Sequence, residues 1–499
     1  MGKTMHAEDG TRRRRRWVWT GILLLLFLLV GGGLFFLDVG PFAPETVPAS
    51  PVEFVWAGAV TTSTARINAR IAQDTPQVRL LISERPDLRA ARYSAPHVAQ
   101  TLLNDRVVSI AVDDLLPETS YYYALEVAGQ VDQSKRGQFT TPAEGSFSFT
   151  FALASCAQTG STHPVFNTIR AHQPLFLLHM GDLHYANIEE NDASLYQAAF
   201  RAVLTAPPQA ALYRSTPIVY IWDDHDYGPN NSDATAPGRE AARLTYQQYV
   251  PHYPLAVGEG NVPLYQAFTV GRTRFIVTDL RSERAPDFTP DDGSKSMLGE
   301  TQKVWLKQEL LAAKDRYKLI VWVSSVPWIA PAEEGEDHWG GFSRERQEIA
   351  DFIVANGIEA MLMVSGDAHM LAIDDGRNNH FAIGGDGPGF PVFQAAALDR
   401  FGSTKGGPYS HGTAPGRGQF GLVTVEDHGG ESITVTLSGR NSADEVLMAH
   451  TFTVSPTLAP VAGSDLRTKP PWIRPGWVLL PLLLLLALLL AYWKRTGPS

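Results

Sequence analysis

Cysteine is almost absent. The chain of 499 residues has one, Cys156, so no intrachain disulfide can form and structural zinc sites built on several cysteines are excluded. A positive charge surplus is also missing: 42 Lys and Arg face 52 Asp and Glu, for a net charge of −10. Binding to a nucleic-acid backbone needs a basic surface, so this balance argues against a general nucleic-acid binder. Charged residues are only 19% against 44% hydrophobic. That ratio is enough apolar material for packed domains, two or three of them at ~100–200 residues each. No internal repeat, long low-complexity tract or redox-cofactor fingerprint occurs.

The charge is unevenly placed. Residues 1–16 hold Lys3 and Arg12 to Arg16 against Glu8 and Asp9, and Lys494 and Arg495 lie at the far end. The net −10 is therefore a −16 body between ends of +4 and +2. Trp17 to Leu37 follows the arginines as 21 residues without a charge, and Trp477 to Trp493 is a second such run of 17. A helix across a bilayer core needs ~20 apolar residues, and arginines hold their flank in the cytoplasm. Two transmembrane helices, at 17–37 and 477–493, are expected between cytoplasmic tails at 1–16 and 494–499, with the rest outside the cytoplasm. A cleaved signal peptide and twin-arginine export are the alternatives for the first run. Its length and the lack of an Ala-x-Ala site favour an anchor.

Between linkers at 38–53 and 456–476 two patterns follow. Residues 54–142 read as short alternating strands. Leu115-Leu116-Pro117-Glu118-Thr119-Ser120-Tyr121 fits the corner before a late strand of a fibronectin-III-like β-sandwich, with Tyr121 packed inward and its hydroxyl on nearby backbone. This domain carries no catalytic cluster and reads as a spacer. Residues 145–455 alternate buried strands (147–154, 174–180, 217–222, 274–280, 319–324, 359–364) with helices (192–204, 299–314, 343–355) and end in strands at 419–425, 432–437 and 446–454. This predicts an α/β core with a β-rich end.

Polar residues gather where those strands end: Ser155-Cys156, Gly181-Asp182-Leu183-His184-Tyr185, Asp223-Asp224-His225-Asp226 and Ser365-Gly366-Asp367-Ala368-His369. Sites in α/β sheets form outside the carboxyl ends of strands. Each cluster alone is an ordinary turn or solvated loop. Together they put carboxylates, imidazoles, a phenol and a thiol around one point, and carboxylates that close cannot all stay ionised without cations. The mixture suits one hard cation on carboxylate oxygen and one transition metal able to take imidazole, phenolate and thiolate. A two-metal centre with no redox cofactor points to hydrolysis of a phosphoester, by an activated hydroxide with His225 assisting the leaving oxygen. Among the cations, Arg281 in Thr278-Asp279-Leu280-Arg281 is the foremost candidate to hold phosphate.

Seven ordered motifs then resemble the alkaline phosphatase D (PhoD-like) family of metallophosphatases. They are Phe151 to Cys156, Gly181 to Tyr185, Trp222 to Asp226, Asp279 to Arg281, Met297-Leu298-Gly299 with Gln302 and Trp305-Leu306, Trp339 to Phe342 with Arg346, and Ser365 to His369. The resemblance implies a four-layer α/β/β/α catalytic domain, a ferric ion with a calcium ion, and phosphoester cleavage outside the cytoplasm. By motif, Asp182 resembles the bridging carboxylate, and Cys156 and Tyr185 the iron-side ligands. Asp224, Asp367 and His369 resemble the other metal ligands, with Asp223 competing for the place of Asp224. His225 resembles the leaving-group histidine, and Asn230 or Asn231 the asparagine after that motif. Two departures stand out: Asp226 where many members have Glu, and His184 where an apolar residue is usual. A phospholipase-like phosphodiesterase acting on lipid head groups and a catalytically silent metal-binding adhesion ectodomain are the rival readings.

Overall fold

The computed structural model describes residues 50–455 apart from 386, 388 and 396. Both apolar runs, both charged tails and the linker at 456–476 lie outside the described residues. Among the described residues no helix is long and apolar enough to cross a membrane.

The sandwich comes first. One sheet holds β1 (Val52–Gly58), β2 (Ala65–Ile71) and β6 (Val107–Val112). The other is built on β3 (Thr75–Ser83), with β4 (Arg92–Tyr93), β5 (His97–Ala99), β7 (Ser120–Val127), β8 (Gln130–Val131) and β9 (Gly137–Thr140). Val55, Ala57, Ile67, Ala69 and Ile110 meet Val78, Leu80, Ile82, Tyr123 and Leu125 between them. The corner forms as expected: Tyr121 is buried, and its hydroxyl accepts from the Leu116 N–H at 2.9 Å.

Two large sheets follow, face to face. The first runs β22-β21-β20-β10-β11-β12-β1-β2-β6 and the second β13-β14-β15-β16-β18-β17-β19. In the first, β10 (Phe149–Ala154), β11 (Leu177–Met180) and β12 (Ile218–Ile221) are parallel, while β20 (Gln419–Glu426), β21 (Ile433–Asn441) and β22 (Val446–Val454) form an antiparallel run beside them. In the second, β14 (Thr273–Val277), β15 (Leu319–Ser324), β16 (Met361–Ser365) and β18 (Val392–Ala395) are parallel. They are flanked by β13 (Gln266–Val270), β17 (Met370–Asp374) and β19 (Thr413–Pro415).

Alternation within the second sheet explains its unbroken apolar runs. Phe275, Val277, Val321, Val323, Leu362 and Val364 point to the first sheet. Ile276, Ile320, Trp322, Met361 and Met363 point the other way, onto Leu306 and Leu310 of helix Glu300–Lys314 and Ile349 and Ile353 of helix Ser343–Ala355. A strand buried on both faces has no polar face to show. Helices Val165–Ala171, Ala193–Thr205, Pro207–Ser215 and Arg239–Tyr249 contribute to the core of the first sheet. Helices and sheets thus stack in the expected order α/β/β/α.

One expectation fails. The sandwich is not a spacer, because its first sheet is the continuation of the first large sheet. Gly58 of β1 pairs in parallel with Ile218 of β12. The approach is so close that a Cβ on Gly58 would lie 2.2 Å from the Pro251 carbonyl oxygen. Strand β1 also uses its second face: Trp56 is fully buried, donates its Nε1–H to the Tyr249 carbonyl at 2.9 Å and packs on Tyr213.

Asp105 adds a partly buried ionic seam between the two parts. Its carboxylate accepts from Arg70 at 3.0 Å, from Arg201 of helix Ala193–Thr205 at 3.0 Å, and from the Tyr249 hydroxyl. Burial works against its ionisation, but Arg70 and Tyr249 overcome it and hold the carboxyl below the usual value. A depressed folded pKa stabilises above the unfolded value and is lost as pH falls through the folded one. Asp105→Ala is expected to lower stability by about 3 kcal/mol at pH 7, a deficit that fades below pH ~4. Urea unfolding at both pH values measures it.

Candidate metal centre

The parallel strands β10, β11 and β12 end at one edge, so Cys156, Asp182 and Asp224 are brought to one place. The ends of β15 and β16 reach it from the facing sheet. Three of the turns there use the same device: Cys156, Asp182 and Asp367 each follow a strand in the left-handed backbone region, with φ of 63°, 55° and 64°. Each non-glycine residue held so costs of order 1–3 kcal/mol, and such strain collects at functional sites. Gly181 precedes Asp182 with φ 97°, and a Cβ there would lie 2.3 Å from the Asp223 Cβ. Two backbone bonds join the first pair of turns, Cys156 N–H to Gly181 O at 3.2 Å and Ala157 N–H to Asp182 O at 2.8 Å.

The side chains form two groups that share Asp182. In one, the Cys156 sulfur, an Asp182 carboxylate oxygen and a His369 ring nitrogen lie within 4.8 Å of one another. In the other, Asp182, Asp224 and His225 do the same. Tyr185 belongs with the first group, its hydroxyl 3.1 Å from His369 Nε2. Of the two candidate aspartates, Asp224 is therefore the one at the centre, and Asp223 is not.

The donors fit cations. Asp182 is 1% exposed, and its Oδ1 is buried without a hydrogen-bond partner. Burial, then the charges of Asp224, Asp223 and Asp226, push its carboxyl well above the usual value. Burial and the neighbouring Asp182 likewise push the Cys156 thiol up. Oxygen, nitrogen and sulfur donors buried together are what one hard and one softer cation require.

Surrounding bonds fix the imidazoles. His369 Nδ1 donates to the Phe401 carbonyl at 2.8 Å, which leaves Nε2 facing the site. His225 Nδ1 donates to Asn187 Oδ1 at 2.5 Å, leaving its Nε2 free. Burial lowers the His225 proton affinity against the pull of Asp224 and Asp223. Asp226 does not touch His225. It caps the turn instead, accepting from the Leu183 N–H at 2.9 Å, the Asp223 N–H at 2.8 Å and the Tyr220 hydroxyl at 2.5 Å. His184 behaves as the apolar residue it replaces: burial holds its pKa at about 3, and its ring packs edge-on against Phe200.

Three expected site residues sit elsewhere. Arg281 does not face the place for a phosphate. It is fully buried, with Nε on Asp223 at 2.6 Å and its two terminal nitrogens on Asp337 at 2.7 and 3.1 Å. The strand end aims it inward, where uncompensated carboxylates claim it first. The Asp367 carboxylate lies outside both donor groups and accepts from Lys405 at 2.5 Å, while its carbonyl oxygen faces the Cys156 sulfur at 3.7 Å. Burial raises the Asp367 carboxyl to about 8 against the opposing pull of Lys405. Asn230 is exposed and donates to the Asn231 side chain at 2.6 Å. It is the Asn231 backbone N–H that reaches Asp224, at 2.7 Å.

Sequence reasoning missed Asn187, Asp337, Arg400 and Lys405. Asn187 is two residues past Tyr185, and Asp337 is two residues before the Trp339-Gly340-Gly341 motif. Both could have been sought as partners for a histidine and an arginine already singled out. Arg400 and Lys405 lie in a loop without a motif, and only the fold brings them in.

The family model described as PhoD-like phosphatase matches residues 151–393. Alkaline phosphatase D of Bacillus subtilis (strain 168) is 24% identical over 310 residues, covering 52% of this chain and 53% of the relative. The chain thus spans about half the length of that curated relative. Among solved structures, that of PhoD superposes with a TM-score of 0.66 at 18% identity, covering 83% of this chain and 94% of that one. Purple acid phosphatase PPD1 from yellow lupin (Lupinus luteus) seeds gives 0.54 at 12% identity, with 81% and 74% covered. At these identities the superpositions speak for the fold alone. The matched span opens in the strand that leads to Cys156 and closes in the strand Val392–Ala395, so that residues 151–393 of this chain match the PhoD-like phosphatase family model.

Proposed function

We propose that the protein is a metal-dependent phosphoesterase whose centre is built on Asp182. The single observation that carries this reading is the pair of donor groups sharing one buried carboxylate with an unpartnered oxygen. Cys156, Tyr185, Asp182 and His369 would hold a ferric ion. Asp182 and Asp224 would hold a calcium ion, with Asp367 available to it if Lys405 withdraws. Such cations supply a nucleophilic water of lowered pKa and neutralise charge on the phosphoryl oxygens.

The chain's own residues do the rest. Asp182 keeps the two groups in register. Asn187 fixes the His225 ring, so that any transferable proton resides at Nε2. A burial-weakened hold on that proton makes protonated His225 a stronger acid toward a leaving alkoxide. Arg281, Asp223 and Asp337 hold the walls in place by their mutual pairing. The acidic body between basic ends supports placing this centre outside the cytoplasm, tethered by the runs at 17–37 and 477–493.

Metal analysis with visible spectroscopy tests the reading. The purified protein is expected to carry iron with a tyrosinate–iron absorption band, to hydrolyse nitrophenyl phosphate esters, and to lose both colour and hydrolysis on chelation. A colourless, iron-free and inactive protein would overturn it in favour of the silent ectodomain.

A further inference from the structure

The cations around this centre are unequally employed. Arg281 is spent on Asp223 and Asp337, Arg284 on Asp287 and Asp337, and Lys405 on Asp367 and Asp337. Arg400 differs. It makes no ion pair among the described residues; its Nη1 donates to the Gln158 side-chain oxygen at 2.6 Å, and its Nε has no partner. Its guanidinium carbon lies over the Tyr185 ring, 3.9 Å from the centroid. That ring is 4.2 Å from the His225 ring, and its hydroxyl is 3.1 Å from His369 Nε2. The charge of Arg400 is felt at both histidines.

A guanidinium stacked on an aromatic face keeps its N–H groups in its own plane, directed sideways rather than into the ring. Here Nη1 is on Gln158, and Nη2 makes no hydrogen bond among the described residues. A planar fork next to a site for a phosphoryl group recognises non-bridging oxygens in pairs. Phosphomonoesters present three such oxygens and close to two charges. Diesters present two and one, with a second organic group where the third oxygen would be. The half-buried stem and the Gln158 bond hold the fork in place, which limits the entropy lost on binding.

We infer that Arg400 is the phosphoryl clamp of this site and biases it toward phosphomonoesters, a role the sequence pattern had pointed to Arg281 for. The inference rests on the phosphoesterase reading above.

The test compares the metal-loaded wild type with Arg400→Ala and Arg400→Lys on nitrophenyl phosphate and bis-nitrophenyl phosphate. In Arg400→Ala, kcat/KM is expected to fall about 100-fold on the monoester and about fivefold on the diester, with inorganic phosphate inhibiting about 30-fold more weakly. Arg400→Lys keeps the charge without the fork and is expected to lose about tenfold on the monoester. Equal losses on both esters, or no loss on the monoester, overturn the inference. So does a variant that shifts the visible band of Tyr185 while leaving the ester ratio alone, since Arg400 would then serve only to cover that ring. Melting temperatures within about 2 °C of the wild type show that the fold is intact. If the wild type cleaves neither ester, the phosphoesterase reading has failed. Calorimetric titration with inorganic phosphate then decides Arg400 separately: binding tenfold weaker in Arg400→Ala upholds the clamp, and equal binding removes it.

Discussion

Asp182→Asn is expected to abolish hydrolysis and, in the metal-stripped protein, to make the fold harder to unfold. Both effects have one origin. The carboxylate is 1% exposed, one of its oxygens has no partner, and Asp224, Asp223 and Asp226 crowd it. With cations present it is the group both donor sets share. An amide of the same shape cannot bridge two cations, so kcat/KM should fall about 10⁴-fold, or ~5.5 kcal/mol of transition-state stabilisation. Without cations the same charge is a liability, and replacing it should stabilise the chelated protein by about 1–3 kcal/mol. Asparagine also tolerates the left-handed backbone at this position better than most residues. The sign with pH follows from the raised carboxyl. A folded pKa above the unfolded one means that stability is lost as pH rises past the unfolded value. The advantage of the variant should therefore vanish near pH ~4 and be larger at pH 8. Denaturant unfolding with chelator at both pH values measures it. A variant less stable than the chelated wild type at pH 8 would contradict the strain assigned to this carboxylate.

The strands that were easiest to read were those buried on both faces. Leu319–Ser324 appears with the bounds expected, as do the exposed edge strand Val446–Val454, whose alternation is plain, and helix Ser343–Ala355. The clusters at 155–156, 181–185, 223–226 and 365–369 were legible because a strand end converts sequence position into place: once β10, β11 and β12 run parallel, their next residues must be neighbours. Less legible was the choice between chemically equivalent neighbours. Asp223 and Asp224 differ only in which way a four-residue helical turn, Asp224–Tyr227, aims them. Arg281 and Arg400 are both arginines near a strand end. What separates them is whether a buried carboxylate stands in reach, and that depends on Asp337, a residue 56 positions from Arg281. The role of the sandwich was misjudged for a related reason. Trp56 and Phe54 alternate with Val55 and Ala57, so β1 has two apolar faces, and its second face reports a partner that local pattern cannot name.

Arg281→Met separates the two possible uses of that arginine. Were it a phosphate ligand, the variant would fold as well as the wild type and bind substrate poorly. The structure gives it a different task. Its side chain is fully buried between Asp223 and Asp337, with Asp224 at 3.9 Å. The pairs make Arg281 hard to deprotonate despite burial, and they keep Asp337 far below the usual carboxyl value against burial that would raise it. Removing one member of a buried ion pair leaves the other charged and unpaired, at a loss of about 3–5 kcal/mol. Asp337 keeps Arg284 and Lys405, whereas Asp223 keeps only the Ser325 hydroxyl at 2.7 Å, so Asp223 is the residue left exposed to the loss. Arg281→Met should therefore lower the melting temperature by about 6–10 °C. Adding Asp223→Asn should recover about half of that, because the amide needs no counter-charge. The recovery is a coupling between neighbours that a double-mutant cycle reads directly. Additive losses in the double variant would show that the arginine is held for some purpose other than pairing with Asp223.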